Sequence, residues 1–227
     1  MIVELKDIFK SYSEGEDNPR RNILDSFNLL INFDESISIV GPSGCGKTTL
    51  LNILGTLDKP DSGEVIFKGE LVTHMSDDQL SKLRAEKIGF IFQSHYLLPQ
   101  ISVIENVILP TLAVNRKQNN SIIFDEAESL LSQVGLKKQA HKFPSQLSGG
   151  EKQRVAIVRS LINKPNLVLA DEPTGSLDKS RGEDIIDLLK SLCVNNQTSL
   201  VVVTHDVEIA SQMKRRLCYK NYDFIES

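Results

Sequence analysis

The chain has 227 residues, with 26 lysines and arginines against 30 acids and a net charge of −4. No excess of basic charge is available to neutralise a phosphate backbone, so no nucleic-acid partner is expected. Three scattered cysteines give neither a disulfide framework nor a metal-ligand spacing and suit a reducing cytosol; no apolar run reaches the roughly 18 residues of a membrane span, and the N-terminus shows no signal peptide.

Residues 2–12, 28–33 and 64–67 read as strands of a small antiparallel sheet. Before the last of these comes a short apolar strand, Ser36-Ile-Ser-Ile-Val40, then a glycine-rich turn, then a helix through Leu50-Leu-Asn-Ile-Leu54. Lys87-Ile-Gly-Phe-Ile-Phe92 is a further strand, ending at Gln93. From 101 to about 147 the apolar positions recur at helical spacing, as in Ile104, Val107 and Ile108, then Ala127, Leu130, Leu131 and Val134. Prolines at 99, 110 and 144 punctuate that stretch, which therefore reads as a helical insertion. A helix from the region of Leu147 runs to about 162, and residues 167–170 and 200–203 are apolar enough for buried central strands. The alternation predicts an α/β protein with a largely parallel sheet.

Gly41-Pro-Ser-Gly-Cys-Gly-Lys-Thr-Thr49 fits the phosphate-cradling pattern G-x-x-x-x-G-K-[ST], between a strand and a helix as the chemistry requires. The loop from Gly41 through Pro42, Ser43, Gly44, Cys45 and Gly46 to Thr49 is expected to surround the phosphates of ATP at a helix N-terminus, with backbone N–H groups from every residue but Pro42. Lys47 is expected to reach the β- and γ-phosphates, and Thr48 to place its hydroxyl on Mg²⁺. Leu167-Val-Leu-Ala-Asp171-Glu172-Pro173 puts two acids at the end of a buried strand. Asp171 can hold Mg²⁺ through its water shell, and Glu172 can take a proton from an attacking water. Cys45, beside Lys47 and near a helix N-terminus, is either a reactive thiol or simply a small residue. Leu147-Ser-Gly-Gly-Glu151-Lys-Gln-Arg154 carries an S-x-x-E capping box, but its glycines are poor helix formers and suit a phosphate approaching the backbone.

The segment Leu147-Ser-Gly-Gly-Glu-Lys-Gln resembles the signature of ATP-binding cassette (ABC) ATPases, and the resemblance covers nearly the whole chain. It implies an α/β P-loop NTPase with a RecA-like parallel-sheet core, an antiparallel β-subdomain and a helical subdomain. All lie in one domain over 1–227, with 1–93 and 163–227 forming the β-subdomain and core and about 94–162 the helical part. By position in the family pattern, Tyr12 stacks on adenine, with packing against Phe9 as the lesser alternative; Gln93 contacts Mg²⁺ and the reacting phosphate; Asp178 lies in the D-loop; and His205 is the switch histidine. The resemblance further implies a head-to-tail homodimer in which Ser148, Gly149 and Gly150 complete the other copy's ATP site. It implies an integral membrane permease subunit as partner, docked near 93–99, and a peripheral location on the cytoplasmic face of a bacterial inner membrane.

Four runs, Leu54-Gly-Thr-Leu-Asp-Lys-Pro60, Ile88-Gly-Phe-Ile-Phe-Gln93, Glu105-Asn-Val-Ile-Leu-Pro110 and Ala170-Asp-Glu-Pro-Thr-Gly-Ser-Leu-Asp178, resemble the group of lipoprotein-releasing and macrolide-exporting ATPases. A regulatory cell-division ATPase of FtsE type shares them less fully, and a soluble cassette acting on DNA or ribosomes is the third alternative. Departures from the family pattern are Asn32-Phe-Asp-Glu-Ser36, where a glycine-glutamate turn is usual, Ile157-Val-Arg-Ser160, and a tail over 220–227 without a glycine turn.

Overall fold

A computed structural model of the chain describes residues 1–13, 20–114, 120–220 and 223–226. In chain order the strands and helices are β1 (Val3–Tyr12), β2 (Arg21–Ile31), β3 (Ser36–Val40), α1 (Lys47–Leu54), β4 (Ser62–Phe67), β5 (Glu70–Leu71), α2 (Asp77–Lys87) and β6 (Ile88–Phe92). There follow α3 (Val103–Ile108), α4 (Asn120–Gln133), α5 (Gly149–Leu161), β7 (Leu167–Asp171), α6 (Lys179–Asn195), β8 (Ser199–Thr204), α7 (Val207–Ser211), β9 (Arg215–Lys220) and β10 (Asp223–Glu226). One sheet has the order β10-β9-β3-β8-β7-β6, and the other the order β2-β1-β4-β5. All pairs of the first are parallel except β9 with β10, and all pairs of the second are antiparallel.

Alternation along the parallel strands divides the interior into two cores. Ile37, Ile39, Leu167, Leu169, Val201 and Val203 face α1 and the antiparallel sheet. Val168, Ala170, Leu200 and Val202 face the other way, onto α3, α4, α5 and α6. Both faces of β7 and β8 are thus covered, which is why they read as unbroken apolar runs instead of alternating ones. Leu167 through Ala170 have no exposed surface at all.

The second strand begins at Arg21 and ends at Ile31, not at 28–33. Register shifts in its pairing with β1, together with positive φ at Asp7 (48°) and Ser26 (49°), break the period that would have revealed its early half. Residues 32–34 form the turn instead, with Asp34 at φ 56° taking the left-handed conformation usually given to glycine. The Glu35 carboxylate accepts from the Asn32 N–H at 2.7 Å and fixes that turn. The tail also closes a hairpin without a glycine turn, as β9 pairs with β10. Phe224 packs edge-on against Tyr219 and Phe27. Arg215 donates to both Glu226 oxygens (2.8 and 3.0 Å), to Glu35 (2.8 Å) and to the Leu30 carbonyl (2.8 Å), joining three segments distant in sequence. Helix α2 had no sequence expectation: only Leu80 on it is buried, and its start is set by a Ser76–Gln79 capping box.

Helix α5 lies directly on β6. A Cβ added at Gly89 would fall inside the contact distance of the Ser160 carbonyl oxygen, a backbone atom that cannot swing aside. Gly89→Ala should therefore push α5 off the sheet and cost about 2 kcal/mol, as overpacking does. A urea midpoint equal to that of the parent protein would contradict this contact.

Candidate functional site

The phosphate loop follows β3, and its turn uses Gly44 (φ 77°) and Gly46 (φ 103°) in conformations that L side chains rarely adopt. Helix α1 starts from Gly46 with no side-chain cap and no acid in its first turn. Five other N-termini differ: α2, α3, α5, α6 and α7 are capped by Ser76, Ser102, Ser148, Asp178 and Asp206. The first-turn N–H groups of α1 thus have no side-chain acceptor, the arrangement that an anion-binding helix end requires. Lys47, 9 % exposed, folds back and donates to the carbonyls of Gly41 (2.7 Å) and Pro42 (3.0 Å). Thr48 Oγ1 donates to Asp171 Oδ2 at 3.3 Å. Burial pushes the Asp171 carboxyl up from its usual range; the Thr48 bond opposes this, the Glu172 charge adds to it, and Lys47 opposes it again. A hydroxyl and a partly buried carboxylate side by side are hard oxygen donors, the set that suits Mg²⁺.

Cys45 is 5 % exposed and its Sγ turns into the core, 2.6 Å from where a Cβ on Gly41 would be. The Cys45 thiol is therefore shielded, contrary to the reactive-thiol alternative. Ser43, Gly44 and Thr48 are exposed, and Pro42 with them. Tyr12 is 40 % exposed at the end of β1, and its hydroxyl donates to Asp58 Oδ2 at 2.7 Å. The Lys10 ammonium lies 5.2 Å from the Tyr12 ring centre. Burial, and then the Asp58 contact, raises the phenol pKa, while the neighbouring Thr49 lowers it. Among the described residues no ring contact joins Tyr12 to Phe9.

Four loops gather because four parallel strands end level. Val40 pairs with Thr204, Asp171 with Val203, and Phe92 with Asp171, so the loops after β3, β8, β7 and β6 emerge along one carboxyl edge. His205 Nδ1 lies 2.9 Å from Glu172 Oε1 across adjacent strand ends. Glu172 has φ 45°, an uncommon conformation, and its N–H donates to the Val203 carbonyl at 2.9 Å. Gln93 packs on Gly175, where an added Cβ would meet its Nε2 at 2.8 Å.

Ser148, Gly149 and Gly150 lie elsewhere, at the start of α5. Ser148 Oγ accepts from the Glu151 N–H (3.3 Å) and donates to Glu151 Oε2 (2.8 Å), and the Ser148 N–H donates to that same oxygen at 2.8 Å. A Cβ at Gly150 would meet nothing within 4 Å, and one at Gly149 only Leu177 Cδ2 at 3.7 Å. No crowding inside this chain asks for either glycine, and neither meets the phosphate loop. Asp178 caps α6 by accepting from the Arg181 N–H at 3.0 Å. One cluster had no sequence signal. Lys10, 7 % exposed, donates to Asp58 (2.9 Å) and the Lys59 carbonyl (2.7 Å), with Asp61 at 3.8 Å, and so holds the acid that orients Tyr12.

Comparison with known proteins places this arrangement. The family described as "ABC transporter" matches residues 24–175. The chain is 43% identical over 220 residues to the lipoprotein-releasing system ATP-binding protein LolD of Shewanella frigidimarina, covering 97% of this chain and 90% of that one. It is 41% identical over 224 residues to the macrolide export ATP-binding/permease protein MacB of Pasteurella multocida, covering 99% of this chain but 34% of that longer one. Among solved structures it resembles the ATP-binding cassette MJ0796, a dimer in a post-hydrolysis state bound to ADP and Pi, with TM-score 0.89 and 41% identity over 100% of this chain and 98% of that one.

The thiol geometry has a direct check. Treated with N-ethylmaleimide in the folded state, the chain should be modified first at the partly exposed Cys218, with Cys45 and Cys193 reacting only as the protein unfolds. Peptide mapping that finds Cys45 labelled as fast as Cys218 would show that its thiol is open to solvent.

Proposed function

This chain belongs to the ABC transporter family, and on that premise we propose that it is the ATPase subunit of a lipoprotein-releasing type of transporter, dimerising head to tail around two ATP and driving a separate integral membrane permease. The observation that carries the shared site is the signature turn, where an added Cβ would meet nothing at Gly150 and only Leu177 at ordinary contact distance at Gly149, so no crowding in their own chain requires the two glycines. The near full-length similarity to LolD supports the transporter type. No helix among the described residues is long and apolar enough to cross a membrane. We place the chain at the cytoplasmic face, held there by its permease, with the segment around Gln93–Pro99 as the docking region.

In this reading the open end of α1 and the backbone from Gly41 to Thr49 hold the phosphates, and Tyr12 supports the adenine. Lys47 exchanges its two carbonyl contacts for phosphate oxygens. When bound, Mg²⁺ neutralises phosphate charge, with Thr48, Asp171 and Gln93 as the residues that would hold it. Glu172 accepts the proton of the attacking water. Its carboxylate is held from one side by His205 Nδ1, so the other oxygen is left to face that water. Ser148, Gly149 and Gly150 then present N–H groups to the γ-phosphate in the second copy, with Asp178 at the start of the neighbouring helix. Hydrolysis removes the charge that both halves grip, and the dimer opens.

Two tests follow from separate parts of the site. Glu172→Gln keeps shape and ATP contacts but removes the base; turnover should fall about 10²- to 10⁴-fold, the usual contribution of a general base, and an ATP-bound dimer should accumulate. Unchanged turnover would free Glu172 from that role. Ser148→Arg and Lys47→Ala damage opposite halves of a shared site. A heterodimer of the two should keep one sound site and occlude one ATP, while each homodimer occludes none. A Ser148→Arg homodimer that closes on ATP normally would rule out the head-to-tail arrangement.

A further inference from the structure

The segment that follows Gln93 is gripped from the far end of the signature helix. Arg159, in the last turn of α5, donates from its two terminal nitrogens to consecutive carbonyls, those of Tyr96 (2.6 Å) and His95 (2.5 Å). His95 and Tyr96 both have positive φ, 60° and 47°, which turns their carbonyls to the same side at a conformational cost for two residues that are not glycine. Ring contact between Phe92 and Tyr96 (5.3 Å, edge-on) and the His95 N–H bond to the Phe92 carbonyl (3.1 Å) pin the segment to the end of β6. Among the described residues no carboxylate lies within ion-pair distance of Arg159. Its charge is met by the two peptide oxygens, and only a planar fork can serve both at once.

The same segment also touches the first turn of α5. The His95 imidazole faces the Gly149 backbone and the charges of Lys152 and Arg159, and its Nε2 is buried without a hydrogen-bond partner. Lys152 and Arg159 are seven residues apart, so they share one stripe of the helix, and residues 95–96 lie along that stripe. Gln93 stands between two fixed points: the sheet through β6, and a helix of 13 residues whose other end is Gly149.

We propose that Arg159 is a positioning residue that makes the Gln93 loop and the signature helix move as one piece, so that nucleotide contact at Gln93 sets the angle at which Ser148, Gly149 and Gly150 are offered to a second copy. This inference rests on the shared-site reading above. A guanidinium that only capped its own helix would bond carbonyls of α5; this one reaches a loop more than 60 positions earlier in the chain.

The test uses Arg159→Met and Arg159→Lys, each in the parent protein and in the Glu172→Gln background, with folding checked by circular dichroism. ATP affinity of the monomer, which depends on the phosphate loop, should stay within about twofold of the parent. Turnover should drop about tenfold or more in Arg159→Met, as expected when reacting groups are misplaced without being removed. Arg159→Lys should fall between, since one ammonium reaches one carbonyl well. In the Glu172→Gln background, the ATP concentration needed for dimer formation should rise in the same order. Parent-like turnover and dimerisation in either folded variant would overturn the proposal. Failure of Glu172→Gln alone to dimerise on ATP would instead sink the shared-site reading. Hydrogen exchange on the Glu172→Gln protein without an Arg159 change avoids any folding problem: ATP should slow exchange at 94–97 and at 149–152 together, and protection of one segment without the other would also overturn the link.

Discussion

Everything at the carboxyl edge depends on the register in which β3, β8, β7 and β6 pair. Slipping one strand by one residue would move its apolar side chains from one core to the other and would shift its loop along the edge by more than 3 Å. The register is held by burial. Leu167, Val168, Leu169 and Ala170 lose all contact with water, and each of the larger ones contributes on the order of 1.5–3 kcal/mol relative to exposure. That sum exceeds the roughly 1–3 kcal/mol expected for a residue held as Glu172 is, at φ 45°. Strand packing thus keeps Glu172 in a conformation it would not choose, within 2.9 Å of His205.

Helix ends carry a second division of labour. Side-chain capping contributes about 1 kcal/mol per helix, and five helices here use it. Helix α1 forgoes it, so its N–H groups remain available. Helix α5 is a mixed case. Its Ser148 hydroxyl is engaged with Glu151 in this arrangement, while the two glycines beyond it lie open.

The parts of the site legible in the sequence were those written as contiguous strings: the phosphate loop, the acids after β7, the signature, and the two buried strands. Their meaning is local, because a loop and the strand before it are neighbours in the chain. What escaped was non-local or irregular. The early half of β2 was hidden by bulges that spoil its period, and α2 by having one buried residue to mark its face. The closing hairpin holds by Arg215 bonds and aromatic edges, with residues such as Glu35 far away in sequence. Cys45 sits in a string that reads as exposed loop, yet its side chain points inward, which depends on how α1 meets the core. The Lys10–Asp58 bond spans 48 positions and the Arg159 contacts more than 60, distances over which a single sequence carries no signal.

Lys47 gives the phosphate loop a shape of its own. With its ammonium bonded to the Gly41 and Pro42 carbonyls, the loop is closed on an internal cation and is already curved. Part of the ordering entropy of this segment is therefore spent during folding, before the triphosphate of the proposed function arrives. Under the role proposed for Lys47, the same two bonds act against the ligand, since the ammonium has to let go of both oxygens before it grips a phosphate. Recognition becomes an exchange of acceptors for a single cation. On that proposal, a ligand that offers no strong replacement, such as a nucleoside without phosphates, has no means to open the clasp.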